Sequence, residues 1–277
     1  MAFYVSRIRM NTKMDRRPIG FFDSGLGGLS VWEEVNKLLP HESTIYLADS
    51  RNAPYGVRSK EEIVELSLKN TEKLIDFDCK LIVVACNTAT TSAIEVLRDR
   101  FDIPFVGIEP AIKSAAFLSQ SRRVGVLATK GTLVSDLFLK TKDAYAKNIQ
   151  TITQEGTGLV ELIEHGKLND KQTKDLIEHY VQPMIEEGID YLVLGCTHYP
   201  FLKPYLKNIL PSAVEVLDSG EAIAKRVHQL LNLSEILTSL SDKKKSSHKF
   251  YTNKSALIMQ EFMDLVSIKG DAHFDLF

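Results

Sequence analysis

The sequence predicts an α/β protein with two doubly wound parallel-sheet domains of similar architecture. Short runs of branched apolar residues alternate with amphipathic stretches long enough for helices. Such runs are typical of parallel strands that are buried on both faces. Two of the runs, at residues 81–85 and 191–195, each lead into a cysteine followed by a polar residue. This internal similarity indicates two related halves, with the active site between them.

The first half contains four predicted strands with three predicted helices between them. Ser59, with Glu62 three residues later, has the pattern of a helix capping box. Right-handed crossovers would place the carboxyl ends of all the strands at one edge, where α/β proteins bind ligands. Asp23, Asp49 and Cys86 all follow such ends. The predicted strands are 18–22, 44–48, 81–85 and 104–110, and the predicted helices are 28–39, 59–77 and 89–100.

The second half repeats this order. Strands are predicted at 123–128, 149–152, 191–195 and 214–217, with helices at 132–146, at 169–187 and up to 210. A helix at 221–231, a short strand and a helix at 255–266 close the chain. We expect residues 18–112, completed by 218–277, to form the first domain and residues 113–217 to form the second.

Composition excludes several classes of protein. The 277 residues are 44% hydrophobic and 25% charged, with a net charge of −2, as in ordinary globular proteins without a basic field for nucleic acid. No apolar run reaches the ~18 residues of a membrane span. The three cysteines form no C-x-x-C, which argues against a disulfide framework or a zinc ribbon and favours the reducing cytoplasm. Residues 1–17 are predicted to be a basic tail and Lys243–Lys245 part of a solvated loop.

Other motifs are less specific. The glycine-rich stretch from Asp23 to Ser30 is neither a P-loop nor a G-x-G-x-x-G sequence, so its glycines can equally serve a tight turn. Glu161 and Glu164 lie on a predicted helix, where solvated carboxylates are the usual occupants.

Cys86 and Cys196 carry the strongest chemical signal. A thiol at the start of a helix can act as a nucleophile, a metal ligand, a redox partner or an acid/base. Cys86, Cys196 and His198 match tetrahedral zinc spacing poorly, a redox disulfide would lack C-x-x-C, and a cysteine hydrolase needs only one thiol. Two thiols facing one substrate suit a reaction in which one removes a proton from carbon and the other returns it from the opposite face.

Four segments of the chain resemble the signatures of glutamate racemases, in family order. They are residues 20–29, residues 49–50 with 54–56, residues 85–89 and residues 195–200. The resemblance extends from about Pro18 to Ser219. It implies a cofactor-independent, metal-free racemase that interconverts L-glutamate and D-glutamate and supplies D-glutamate for bacterial peptidoglycan. The resemblance is compatible with a homodimer, and it implies neither a nucleic-acid nor a membrane partner.

The resemblance also implies roles for individual residues. Cys86 would be the acid/base for D-glutamate and Cys196 the one for L-glutamate, assisted by Asp23 and His198 respectively. Glu161 occupies the position of a further family glutamate with a catalytic role, although residues 154–160 before it differ from the family's proline-rich run. The residues expected to bind the substrate are Asp23, Ser24, Tyr55, Gly56, Asn87, Thr88, Thr132, Thr197 and His198.

Two alternatives stay open at this point. The chain could be a racemase for aspartate or another acidic amino acid in the same superfamily, or a catalytically inactive relative that only binds an amino acid. Exchange of the substrate's Cα hydrogen with solvent deuterium distinguishes the racemases from the inactive relative.

Overall fold

The structure, a computed structural model, describes residues 15–238 and 246–277. Most of the predicted basic tail and all of Lys243–Lys245 lie outside these ranges. The described strands form two separate sheets, and all their recorded pairings are parallel. The fold class predicted from the sequence is therefore confirmed.

Six strands form the first sheet, in the order β10-β9-β2-β1-β3-β4. They are β1 (Ile19–Asp23), β2 (Thr44–Ala48), β3 (Leu81–Val84), β4 (Phe105–Gly107), β9 (His248–Thr252) and β10 (Ala272–Phe274). The helices of this part are α1 (Leu29–Leu38), α2 (Lys60–Asp76), α3 (Asn87–Arg100), α10 (Gly220–Leu233) and α11 (Ala256–Leu265). The predicted capping box begins α2, since Ser59 Oγ accepts from Glu62 N at 3.2 Å and Glu62 Oε2 from Ser59 N at 2.9 Å.

Four strands form the second sheet, in the order β6-β5-β7-β8. They are β5 (Arg123–Ala128), β6 (Gln150–Glu155), β7 (Tyr191–Gly195) and β8 (Glu215–Leu217). The accompanying helices are α4 (Ile112–Leu118), α5 (Lys130–Leu133), α6 (Asp136–Tyr145), α7 (Leu159–Glu164), α8 (Lys171–Glu186) and α9 (Lys203–Ile209). The predicted domain boundaries at 112/113 and 217/218 stay a prediction.

Several details differ from the sequence prediction, and helix α4 (Ile112–Leu118) is one element that it lacked. The helix expected at 132–146 is divided into α5 and α6, because two hydroxyl residues each cap a new start. Thr129 accepts from Thr132 N, and Ser135 accepts from Phe138 N. The short strand β10 was not predicted, and it pairs with β9 at the edge of the first sheet.

The buried strands fix the edge at which the polar residues meet. Every residue of β1, β2 and β3 is buried, as the unbroken apolar runs predict. Just beyond these strands, Asp49 N donates to Asp23 O at 3.0 Å and Ala85 N to Phe22 O at 2.8 Å. Asp23, Asp49 and Cys86 therefore lie side by side at the carboxyl edge of the first sheet.

Candidate active site

Cys86 lies at the start of a helix, as predicted. It is the N-cap residue of α3, and its Sγ accepts a hydrogen bond from Ala89 N at 3.4 Å. Its thiol also contacts Ser24 Oγ at 3.8 Å, and the residue is only 5% exposed. Burial raises the pKa of Cys86 above its usual range, and the nearby Asp23 carboxylate raises it further. These surroundings favour the neutral thiol.

Cys196 follows β7 directly and has a different neighbour. The predicted helix does not begin here; a single 3₁₀ turn at Tyr199–Leu202 precedes α9. The Cys196 sulfur instead lies 3.6 Å from His198 Nδ1. Burial lowers the pKa of His198, but hydrogen bonds to Cys196 and Glu164 outweigh it and raise that pKa well above its ordinary value. The imidazole beside this sulfur is therefore favoured in its protonated form.

Glu164, which the sequence analysis treated as a solvated carboxylate, contacts His198. Its Oε1 lies 2.6 Å from His198 Nε2 and accepts from Leu26 N, also at 2.6 Å. Glu161 is exposed and lines a small recess together with Gly56 and Thr129. The sequence could not have chosen between the two glutamates, because both flank the buried apolar face of the same short helix. The catalytic role suggested for Glu161 stays a prediction.

The surroundings of the two thiols meet at Asp23. Asp23 Oδ1 accepts from Gly25 N at 2.7 Å, and Oδ2 accepts from Thr197 Oγ1 at 3.1 Å. Ser30 Oγ in turn donates to Thr197 O at 2.8 Å. Burial raises the pKa of Asp23 to about 6, although His198 opposes the shift. The Asp23 carboxylate, next in sequence to the Ser24 that contacts Cys86, thus accepts a hydrogen bond from the residue that follows Cys196.

The glycine-rich stretch allows this close approach. A Cβ at Gly25 would lie 2.2 Å from Glu164 Oε1, and a Cβ at Gly27 would lie 2.3 Å from His198 Nδ1. Both distances are far below contact, so a side chain here would displace the pair that flanks Cys196. In this structure the stretch serves packing between the two halves of the site.

Three threonines make a second contact between the two parts of the chain. Thr88 Oγ1 lies 3.2 Å from Thr129 Oγ1, which lies 3.1 Å from Thr132 Oγ1. Thr88 and Thr132 were predicted to bind the substrate, whereas Thr129 was not chosen. Thr129 follows β5 directly, so a polar residue at a strand end was the signal that could have identified it.

The remaining predicted residues lie close by but differ in orientation. Asn87 lines a narrow recess of about 10 Å³ together with Cys196 and Thr197. The Tyr55 hydroxyl donates to Asp49 Oδ2 and accepts from Asn70 Nδ2 at 3.2 Å. Burial, reinforced by Asp49, raises the pKa of Tyr55 well above its usual value, so its hydroxyl stays protonated and points to Asp49.

Within residues 15–238 and 246–277, no three His, Cys, Asp or Glu side chains are grouped so as to hold a metal ion. The same ranges contain no helix that is both long and apolar enough to cross a membrane.

Comparison with known proteins places this geometry in a family. The profile of the Asp/Glu/Hydantoin racemase family matches residues 26–227. The glutamate racemase of Ectopseudomonas mendocina is 49% identical over 221 residues, which are 79% of this chain and 84% of the relative. That of Herpetosiphon aurantiacus is 47% identical over 81% of this chain and 88% of the relative.

Solved structures of glutamate racemases support the same family assignment. Glutamate racemase isoform RacE1 from Bacillus anthracis superposes with a TM-score of 0.83 at 29% identity, over 95% of this chain and 98% of its own. The Escherichia coli glutamate racemase in complex with L-glutamate and the activator UDP-MurNAc-ala has a TM-score of 0.82 at 33% identity, over 94% of this chain and 98% of its own. The chain therefore belongs to the Asp/Glu/Hydantoin racemase family, among its glutamate racemases.

Proposed function

We propose that this protein interconverts L-glutamate and D-glutamate, with Cys86 and Cys196 as its two acid/base groups. The observation that carries the proposal is the hydrogen bond from Thr197 to Asp23, because it joins the surroundings of two buried thiols that belong to different sheets. Relatives support the choice of substrate. The Francisella tularensis glutamate racemase, with a TM-score of 0.80 at 27% identity over 95% of this chain and 98% of its own, was solved with D-glutamate.

The two thiols differ in the way that a two-base reaction requires. Starting from L-glutamate, the Cys196 thiolate takes the Cα proton: the C–H bond breaks, an S–H bond forms, and the electron pair stays on the substrate. The Cys86 thiol then donates its proton to the opposite face of Cα, which gives D-glutamate and leaves Cys86 as the thiolate. The reverse reaction begins from that state. The raised pKa of Cys86 favours its thiol, which is the form that donates a proton in the direction from L-glutamate.

Neighbouring polar groups would stabilise the charge that develops on the substrate. The α-proton of an amino acid is weakly acidic, so oriented hydrogen-bond donors at the carboxylates matter more than for most substrates. Burial of both cysteines at 5% and 6% exposure keeps this charge away from water. Asp23 would meet the substrate's ammonium group, and the proposed donors to its carboxylates are Ser24, Asn87, Thr88, Thr132 and Thr197.

The wider role follows from the family. We expect the protein to act in the cytoplasm without a cofactor, so that the purified protein is colourless, and to provide D-glutamate for peptidoglycan. The domain boundaries at 112/113 and 217/218 belong to the same proposal, and the contact of α10 with α1 supports them. The homodimer stays a prediction that sedimentation equilibrium would check.

Racemisation and thiol substitution test the proposal together. L- or D-glutamate is incubated with the protein in D₂O, and circular dichroism and Cα deuteration are followed. Cys86→Ala and Cys196→Ala should each abolish racemisation, since a single positioned acid or base contributes about 10²–10⁴-fold. Cys79→Ala is the matched control, because Cys79 is also a buried free thiol but precedes β3, at the end of the strand opposite to Cys86.

The same experiment separates the alternatives. Near wild-type racemisation by either cysteine variant would refute the two-thiol mechanism. Faster turnover of aspartate than of glutamate would instead identify an aspartate racemase. Binding of glutamate without any Cα deuteration would indicate the inactive relative.

A further inference from the structure

The carboxylate of Asp49 is buried and is held by neutral donors. It is 2% exposed, and each hydrogen bond that the structure records to it comes from an uncharged side chain. Tyr55 Oη donates to Oδ2, while Asn52 Nδ2 and Asn253 Nδ2 donate to Oδ1 at 2.8 Å and 2.5 Å. A buried carboxylate requires such donors, so the loss of one is expected to disturb the others.

Asn253 reaches this carboxylate from the last part of the chain. It follows β9, which pairs with β2 so that Thr252 lies opposite Ala48, and it therefore lies beside Asp49. Both polar atoms of its side-chain amide form hydrogen bonds, because Nδ2 donates to Asp49 and Oδ1 accepts from Arg51 N at 2.9 Å. Asn253 thus holds both the carboxylate at the start of the loop at residues 49–58 and the backbone of that loop.

The loop at residues 49–58 extends from this anchor towards the second sheet. It carries Tyr55, whose hydroxyl is bound to Asp49, and Gly56, where a Cβ would lie 3.2 Å from the Cβ of Thr129. A Cβ at Gly131 would lie 3.4 Å from Gly56 O. The loop therefore fits closely against the threonine-containing turn of the second domain, and a small shift at its base would move Gly56.

We infer that Asn253 is a positioning residue for substrate binding. It acts through Asp49 and the Arg51 N–H, which together hold the loop at residues 49–58 where Tyr55 and Gly56 meet the substrate. The inference rests on the proposed function. It adds to the site a residue beyond position 227, where the match to the family profile ends.

Steady-state kinetics on the full-length chain test this inference. Asn253→Ala should raise the KM for glutamate about tenfold and change kcat by less than about twofold, because substrate binding is impaired while both thiols keep their neighbours. Asn253→Asp fills the same space but puts an acceptor against Asp49, so its KM should rise at least as much. Lys254→Ala is the matched control, because its side chain is adjacent but exposed, and its KM should equal that of the wild type.

A double-mutant cycle with Tyr55→Phe distinguishes positioning from general destabilisation. If both residues act through Asp49, the factor by which KM rises in the double variant should be well below the product of the factors in the two single variants. Wild-type KM in folded Asn253→Ala, or in Asn253→Asp if the alanine variant does not fold, would overturn the inference. The inference would also be overturned if kcat fell by the same factor as KM rose and both factors multiplied with those of Tyr55→Phe. Absence of Cα deuteration in the wild type would instead refute the proposed function.

Discussion

The surroundings of Cys86 and Cys196 differ although both thiols occupy equivalent places at the ends of buried strands. Cys86 caps α3 and contacts the Ser24 hydroxyl, with the Asp23 carboxylate nearby. Cys196 precedes a 3₁₀ turn and is paired with His198, which is in turn held by Glu164. The repeated fold thus places two sulfurs at equivalent strand ends, with a carboxylate near one and an imidazole beside the other.

This difference predicts the largest effect, which is one-sided exchange in the two cysteine variants. Cys86→Ala keeps the base for L-glutamate, so in D₂O it should deuterate L-glutamate slowly with retention and leave D-glutamate unlabelled. Cys196→Ala should show the opposite preference, while racemisation falls at least about 10²–10⁴-fold in both. Mass spectrometry of the amino acid, with circular dichroism for configuration, measures both quantities. Labelling of the same enantiomer by both variants would contradict the assignment of the two thiols.

A smaller expected effect concerns the free energy of unfolding, and it tests the raised pKa of the Asp23 carboxyl group. The pKa of Asp23 is raised from 3.8 to about 6, so the folded protein binds more protons than the unfolded chain between these pH values. The free energy of unfolding should therefore fall as the pH rises through this window, by about 3 kcal/mol in total. Asp23→Asn removes the buried charge and should stabilise the fold by up to that amount above pH 7, with little effect near pH 4.

Urea unfolding at pH 4 and pH 8 measures this change. Glu33→Gln provides a matched control, because Glu33 is a carboxylate on the surface of α1. A stability difference between Asp23→Asn and the wild type that does not change with pH would contradict the raised pKa of Asp23.

The sequence was sufficient for the fold and for the place of Cys86, Asp23 and Cys196 at the ends of buried strands, for an identifiable reason. Buried strands leave unbroken apolar runs, and the polar residue after each run lies at the functional edge; Cys86, Asp23 and Cys196 all follow this rule. Contacts between the two domains leave no such pattern. Glu164 could not be distinguished from Glu161 on one short helix, and Asn253 comes to lie beside Asp49 only because β9 pairs with β2.

The choice between Glu164 and Glu161 gives the last and smallest expected effect. Glu164→Gln keeps an acceptor near Leu26 N but removes the charge that faces His198, so kcat/KM should fall about tenfold, as for loss of one hydrogen bond to a charged group. Because Glu164 helps to raise the pKa of His198, its loss lowers that pKa, and activity should decline at a lower pH on the alkaline side. pH–rate profiles of Glu164→Gln and Glu161→Gln compare the two carboxylates directly. A larger loss in Glu161→Gln, or an unshifted alkaline limb in Glu164→Gln, would assign the support of His198 to another group and remove this difference between the surroundings of the two thiols.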